Sequence, residues 1–173
     1  MQIVLRKLEL NDENIIIDLK KEIEDSDNDF EGFSILKSMD NFDDFYKKII
    51  SNENPVDKAY SPVFVYLAFD NSELIGIVVL RTELKGNLVN YGGNVGYLVR
   101  PSKRKKGYGT LMLKEALKIL KDEYKVDYVV LGCRVDNIGS AKVIEKNDAT
   151  FVNTYYEANN GLTYSKYEKT IKK

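Results

Sequence analysis

A mixed α/β fold is what this sequence predicts, and three observations carry the prediction. Runs dense in valine, isoleucine and aromatic residues, such as Val63–Phe69 and Leu74–Leu80, read as strands. Apolar residues at i, i+3, i+4 and i+7, above all Leu113, Ala116, Leu117 and Leu120, read as a helix. The two patterns alternate, and a strand-helix-strand unit over residues 94 to 135 predicts a parallel crossover. With 173 residues the chain reads as one domain, 1–173, long enough to bury roughly 70% of its unfolded surface.

Each element has its own local cause. Gln2–Leu10 places Ile3, Leu5 and Leu8 among polar residues as a first strand, and Asn11 or Asp12 can cap the helix in which Ile15, Ile16, Leu19 and Ile23 align. Asp25–Ser34 is polar and glycine-bearing, a loop; Asn41–Ile50 is a short helix using Phe42, Phe45, Tyr46 and Ile49. Pro55 and Pro62 bracket a connection to a hairpin, in which Val63–Phe69 and Leu74–Leu80 flank the turn Asp70-Asn71-Ser72. Lys85–Gly93 is a second turn region, and the strand Asn94–Val99 must stop at Pro101, which has no N–H to give a ladder. The most regular helix follows over Lys106–Lys121. Val126–Val135 then reads as a buried strand, Ile138–Lys146 as a helix, and Phe151–Tyr156 and Tyr164–Ile171 as strands turning near Asn159-Asn160-Gly161.

Composition excludes several chemistries. The absence of histidine and the single cysteine, Cys133, leave no Ser-His-Asp or Cys-His machinery, no disulfide framework and no multi-cysteine zinc site, so no metal is expected. The longest apolar run is far short of the ~20 residues a bilayer requires, and no basic-then-apolar leader opens the chain, so a cytoplasmic protein without membrane attachment is expected. The net charge of -1 conceals an asymmetry: residues 9 to 31 hold ten carboxylates against Lys20 and Lys21. A solvated helix face is the commoner meaning of such a run, although a polarised molecule can also take a cation at one place and an anion at another.

The opposite pole is Arg100-Pro-Ser-Lys-Arg-Lys-Lys-Gly-Tyr-Gly-Thr110, between a strand and a helix. Glycines at such a junction let backbone approach a ligand, and the free N–H groups of the first helical turn favour an anion. A P-loop would need Gly-Lys-Ser/Thr at its end, and a dinucleotide fingerprint would need glycine where Met112 stands. Neither pattern fits. The run Arg104-Lys105-Lys106-Gly107-Tyr108-Gly109 matches instead the form Arg/Gln-x-x-Gly-x-Gly/Ala. The two glycines at the helix start and the near-zero net charge argue against a nucleic-acid patch, so no nucleic-acid partner is expected.

This loop resembles motif A of the GNAT superfamily of N-acetyltransferases, and Cys133-Arg-Val-Asp-Asn-Ile-Gly-Ser-Ala-Lys-Val-Ile-Glu-Lys-Asn147 resembles motif B. The stretch from Gly92 to about Asp148 is also similar to a bacterial subgroup of predicted acetyltransferases. The resemblance implies a central, mostly antiparallel sheet flanked by helices, with a splayed parallel strand pair. It implies that Arg104, Lys105, Lys106, Gly107, Tyr108, Gly109 and Thr110 grip the pyrophosphate of acetyl-CoA. Leu98, Val99 and Arg100 would meet its pantetheine arm, Asn137 and Ser140 would line the arm, and the Val99 N–H would polarise the thioester carbonyl. The implied activity is direct acetyl transfer to a primary amine of a small molecule or peptide, by a monomer or homodimer. A cationic acceptor is the expectation, because GNAT folds usually build acceptor specificity where this chain is acidic.

Two departures bear on catalysis. Ile144 stands where many members carry a general-acid tyrosine, so that role passes to Ser140, another tyrosine, Cys133 or water. Asn94 replaces a histidine frequent in the subgroup and cannot act as a base. These departures keep open a second reading, an acyl-CoA binding or sensing module with little or no turnover. Asn137 is a helix N-cap as well as a cofactor contact, Cys133 reads as core, and Asp148 as a residue tolerating a left-handed helix end.

Overall fold

The computed structural model describes residues 1–172; the single-domain expectation reaches Lys173, which lies outside them. Seven strands, β1 Ile3–Lys7, β2 Val63–Asp70, β3 Glu73–Arg81, β4 Val95–Val99, β5 Tyr128–Arg134, β6 Thr150–Glu157 and β7 Leu162–Thr170, are joined by four helices. The helices are α1 Glu13–Asp25, α2 Phe42–Glu53, α3 Tyr108–Asp122 and α4 Ile138–Glu145. Element types follow the sequence pattern, with ends within three residues of those read. The loop after α1 and the turn region after β3 contain 3-10 turns, Ser34–Ser38 and Gly86–Val89, that periodicity does not signal.

Alternation of apolar residues gives the sheets their two faces. Strands β1-β2-β3-β4 form one antiparallel sheet, and β5-β7-β6 form a second. The β2–β3 hairpin closes with Asp70 opposite Glu73, leaving a two-residue turn in which Asn71 takes φ +54°. On one face of the larger sheet Leu67, Ile77, Val79 and Leu98 bury against α1 and α2, which contribute Ile16, Leu19, Ile23, Phe42 and Phe45. On the other face Val78, Leu80 and Val95 pack with α3, through Met112, Leu113, Ala116 and Leu120, and with Leu131 of β5. These helix stripes are those read from the sequence, with Met112 added to that of α3.

The expected crossover of β4 and β5 is corrected in its pairing: the two strands form no ladder and belong to separate sheets. They touch at one end, where the Asn94 N–H donates to the Val130 carbonyl at 2.7 Å and the Val130 N–H donates to Asn94 Oδ1 at 2.8 Å. Farther along, Gly96 and Tyr97 face Gly132, Cys133 and Arg134 across an open cleft. Strands numbered in the same direction from a shared end run parallel and diverge, as the splayed pair implied by the resemblance does.

The acidic run is largely consumed by structure. Asp12 occupies the N-cap of α1 without capping it; its carboxylate instead accepts from Arg6 at 2.6 and 2.7 Å and from the Glu9 N–H at 2.8 Å. Burial alone would raise that carboxyl, yet these bonds outweigh it and hold it below the ordinary range. Glu22 pairs with Arg100 at 2.6 Å and Asp27 pairs with Arg104. Asp148 takes φ +58°, and no helix among the described residues is long and apolar enough to cross a membrane.

Candidate functional site

The turn before α3 is shaped by left-handed backbone at Lys105, φ +59°, and Gly107, φ +86°. A Cβ on Gly107 would meet nothing within 4 Å, so its backbone angle, not crowding, favours glycine at this N-cap. Gly109 has a different cause: a Cβ there would stand 3.3 Å from a Val143 methyl and 3.7 Å from Tyr97 and Val99, so glycine lets α3 close onto α4 and β4. The first turn of α3 consequently opens on a cleft of about 430 Å³, walled by Tyr97, Leu98 and Val99 on one side and Asn137, Gly139 and Ser140 on the other. Free N–H groups and the helix dipole favour an anion at that end.

The cations are deployed otherwise than the run suggests. Lys103 pairs with Glu73 at 2.6 Å, Arg104 bonds Asp27 and the Val99 carbonyl, and Lys106 donates to the Ser102 carbonyl at 2.9 Å. Arg100 does not line the cleft: its guanidinium is held by Glu22 and by the Leu74 carbonyl at 3.2 Å. Tyr108 contributes its backbone, because its hydroxyl donates to Asp70 at 2.8 Å, and the Thr110 carbonyl accepts from Asn147 at 3.2 Å. Lys105, Lys142 and Lys146 form no ion pair among the described residues, and all three line the cleft. Lys142 lies in α4 and Lys146 just past its end, and sequence reasoning treated both only as part of a motif.

Strand register orients the Val99 N–H. Arg81 N–H donates to the Asn94 carbonyl and Arg100 N–H to the Ile75 carbonyl, so alternation along β4 turns the Tyr97 and Val99 amides away from β3, into the splay. A backbone donor in that position suits a developing oxyanion.

A second cleft of about 550 Å³ lies between β2, β3, the loop before α2, β5 and β7. Glu31, Tyr97, Asn137 and Ser140 line both clefts. Asn137 accepts from the Ser140 N–H at 3.0 Å, capping α4, and donates to Glu31 at 3.1 Å. The Tyr97 hydroxyl is buried without a hydrogen-bond partner; burial pushes its phenol up to about 12, opposed by the neighbouring Ser140. Although Glu31 keeps part of its surface in solvent, desolvation of its carboxyl raises it above the ordinary 4.5, against the pull of Arg134 and Asn137. Burial drives the Cys133 thiol up to about 11, leaving it neutral and a poor nucleophile near pH 7.

The two departures acquire structural explanations. Ile144 is 2% exposed and belongs to the core, so no hydroxyl serves the site from there. Asn94 clasps the closed end of the splay, adding a bond from Nδ2 to the Arg81 carbonyl at 2.9 Å. Glu31 and Tyr97 were missed as a pair because one sits in an acidic run and the other among sheet aromatics. Gly32 held a signal: a Cβ there would strike the Tyr97 carbonyl at 2.0 Å, so glycine in that loop marks where its backbone presses on β4. No three histidine, cysteine, aspartate or glutamate side chains among the described residues group as a metal-ligand set.

Comparison with known proteins bears on the fold and on the family. A family model described as an acetyltransferase (GNAT) domain matches residues 2–150. No curated relative matches the sequence. Among solved structures, the ribosomal L7/L12 alpha-N-protein acetyltransferase RimL in complex with coenzyme A is 17% identical, with TM-score 0.74, covering 98% of this chain and 94% of that one. A chimera of spermidine N-acetyltransferase SpeG from Vibrio cholerae and hSSAT is 18% identical, with TM-score 0.65 and coverage of 99% and 97%. The dodecameric SpeG from Vibrio cholerae in an intermediate state is 17% identical, with TM-score 0.65 and coverage of 98% and 94%. These likenesses establish a shared fold. With the family match spanning most of its length, the chain belongs to the GNAT acetyltransferases.

Proposed function

We propose that this cytoplasmic enzyme transfers acetyl from acetyl-CoA directly to a primary amine of a small molecule or peptide, with both substrates bound at once. The observation that carries this reading is the common wall of the two clefts, Glu31, Tyr97, Asn137 and Ser140. A cofactor cleft and an acceptor cleft that share side chains can bring an amine to a thioester without a covalent relay, and the neutral Cys133 thiol supports the absence of one.

Acetyl-CoA, when bound, supplies an activated acyl thioester. The first turn of α3 from Gly107 to Thr110, with Lys105, Lys142 and Lys146, suits its phosphates in charge and in open space. Leu98 and Val99 offer backbone to the arm, Asn137 and Ser140 the facing wall. In our reading the Val99 N–H stabilises negative charge on the carbonyl oxygen. Glu31 takes a proton from the ammonium acceptor, which at a pKa of ~10.4 is almost wholly charged at pH 7. Tyr97, a neutral phenol, or Ser140 beside it, returns a proton to the leaving thiolate. Arg100 and Arg104 act by fixing the splayed strand and its turn, through Glu22, Asp27 and the Val99 carbonyl.

Two-substrate initial-rate kinetics over a panel of amines, with mass spectrometry of the protein after acetyl-CoA alone, tests this. Intersecting lines and an unmodified chain are expected. Parallel lines with an acetylated Cys133 would overturn direct transfer, and thiol release no faster than buffer with every amine would favour the sensing module.

A further inference from the structure

The acceptor cleft holds one arginine whose charge no carboxylate among the described residues answers. Arg6, Arg100, Arg104 and Arg134 each pair with a carboxylate, from Asp12, Glu22, Asp27 and Asp136. Arg81, the remaining arginine in the sequence, has no carboxylate within 4.0 Å among the described residues. Its guanidinium spends one donor on the Gly93 carbonyl at 3.2 Å, leaving most of its N–H groups uncommitted. It continues the row Ile77, Val79 along the helix-facing side of β3 and lines the cleft beside Tyr91 and Gly92.

Withdrawing an unpaired cation from water is unfavourable, and here burial alone depresses the Arg81 pKa, with no anion offsetting it. Glu31 lines another part of the same cleft, and its own charged neighbours are Arg134, Asp29 and Asp136. The cleft therefore carries a carboxylate where it meets the cofactor cleft and a separate, unanswered guanidinium. An amine-bearing substrate with a carboxylate of its own would satisfy both. The planar fork of a guanidinium matches a carboxylate through two parallel hydrogen bonds.

We propose that Arg81 is a subsite for a carboxylate on the amine acceptor, so that the substrates of this enzyme are amino acids or short peptides with a free C-terminus. The proposal rests on the acetyltransferase reading above and reverses the cationic acceptor expected from the acidic N-terminal region. Of the ten carboxylates in that region, only Glu31 lines this cleft, whereas a polycation would meet Arg81 as a like charge.

The test compares dipeptides as free acids and as C-terminal amides, with spermidine beside them, by turnover. Titration calorimetry of the corresponding N-acetylated dipeptides into the CoA-loaded protein measures the same preference without chemistry. The acid is expected to exceed its amide by about 10- to 100-fold in both readouts, as charge-assisted hydrogen bonds allow. Arg81→Ala should bring that ratio near unity, and Arg81→Lys, which keeps the charge but not the fork, should fall between. An acetyl-CoA-dependent melt of each variant confirms that it is folded and loaded. Equal use of acid and amide by the wild type, preference for spermidine, or an unchanged ratio in both variants overturns the subsite. Discrimination by calorimetry without turnover of any amine supports the subsite and sinks the transfer reading instead.

Discussion

Asn94 holds Val130 with two hydrogen bonds, one from its backbone at 2.7 Å and one through its side-chain carbonyl at 2.8 Å, and its remaining amide binds the Arg81 carbonyl. This clasp joins two sheets at the closed end of the splay. It supplies the reason for asparagine there: a residue 4% exposed must both accept and donate, which its amide does without burying a charge. Asn94→Ala leaves a buried N–H and a buried carbonyl unpaired, each worth about 1–3 kcal/mol, so a stability loss of roughly 2–4 kcal/mol is expected in denaturant unfolding. A loss below about 0.5 kcal/mol would remove Asn94 as the clasp.

Glu31→Gln should separate catalysis from stability. The folded carboxyl lies above its ordinary 4.5, so its contribution to stability is present below 4.5 and lost as pH rises through the raised value. At pH 7 the wild type therefore carries an unfavourable ionised group, and Glu31→Gln should melt higher, the difference shrinking below pH 4.5. Turnover should fall by about 10²-fold or more if this carboxylate is the base. Full activity in a stabilised variant would assign the base elsewhere.

The element pattern was legible because local rules and burial agree: the stripes of α1 and α3 and the position of the hairpin turn need no distant information. The glycine turn that heads the cleft was legible because glycine at φ +86° is a local requirement. The division of charge around it was not. Whether Arg104 faces a ligand or Asp27, 77 residues away, is decided by tertiary packing that one-dimensional spacing does not encode. The same holds for Tyr97, whose hydroxyl is buried without a hydrogen-bond partner, a consequence of packing that a strand pattern does not carry.

That isolation gives a third expectation. Tyr97→Phe deletes a buried hydroxyl with nothing to lose, so stability should hold or rise, and a fall of about 10²-fold in kcat would identify the phenol as proton donor. Unchanged kcat, with a loss in Ser140→Ala, would transfer the role to Ser140.

Charge reversal should sort the basic residues. Lys142→Glu and Lys105→Glu are expected to weaken acetyl-CoA binding about tenfold or more, with weaker dependence on salt than the wild type, because these side chains form no ion pair among the described residues. Lys103→Glu should cost affinity less, since its charge is already matched by Glu73 at 2.6 Å. Equal losses for all three, by calorimetry, would contradict the division.

The central claim is that the cleft headed by Gly107 receives acetyl-CoA. A thermal melt with and without acetyl-CoA at about a hundred times its dissociation constant tests it directly. Linkage gives ~2.7 kcal/mol, a rise of several degrees for a chain of this size, and Gly107→Glu, which sends an anion into the open cradle, should abolish it while remaining folded. An equal rise in wild type and Gly107→Glu, or no rise in the wild type, would contradict the assignment.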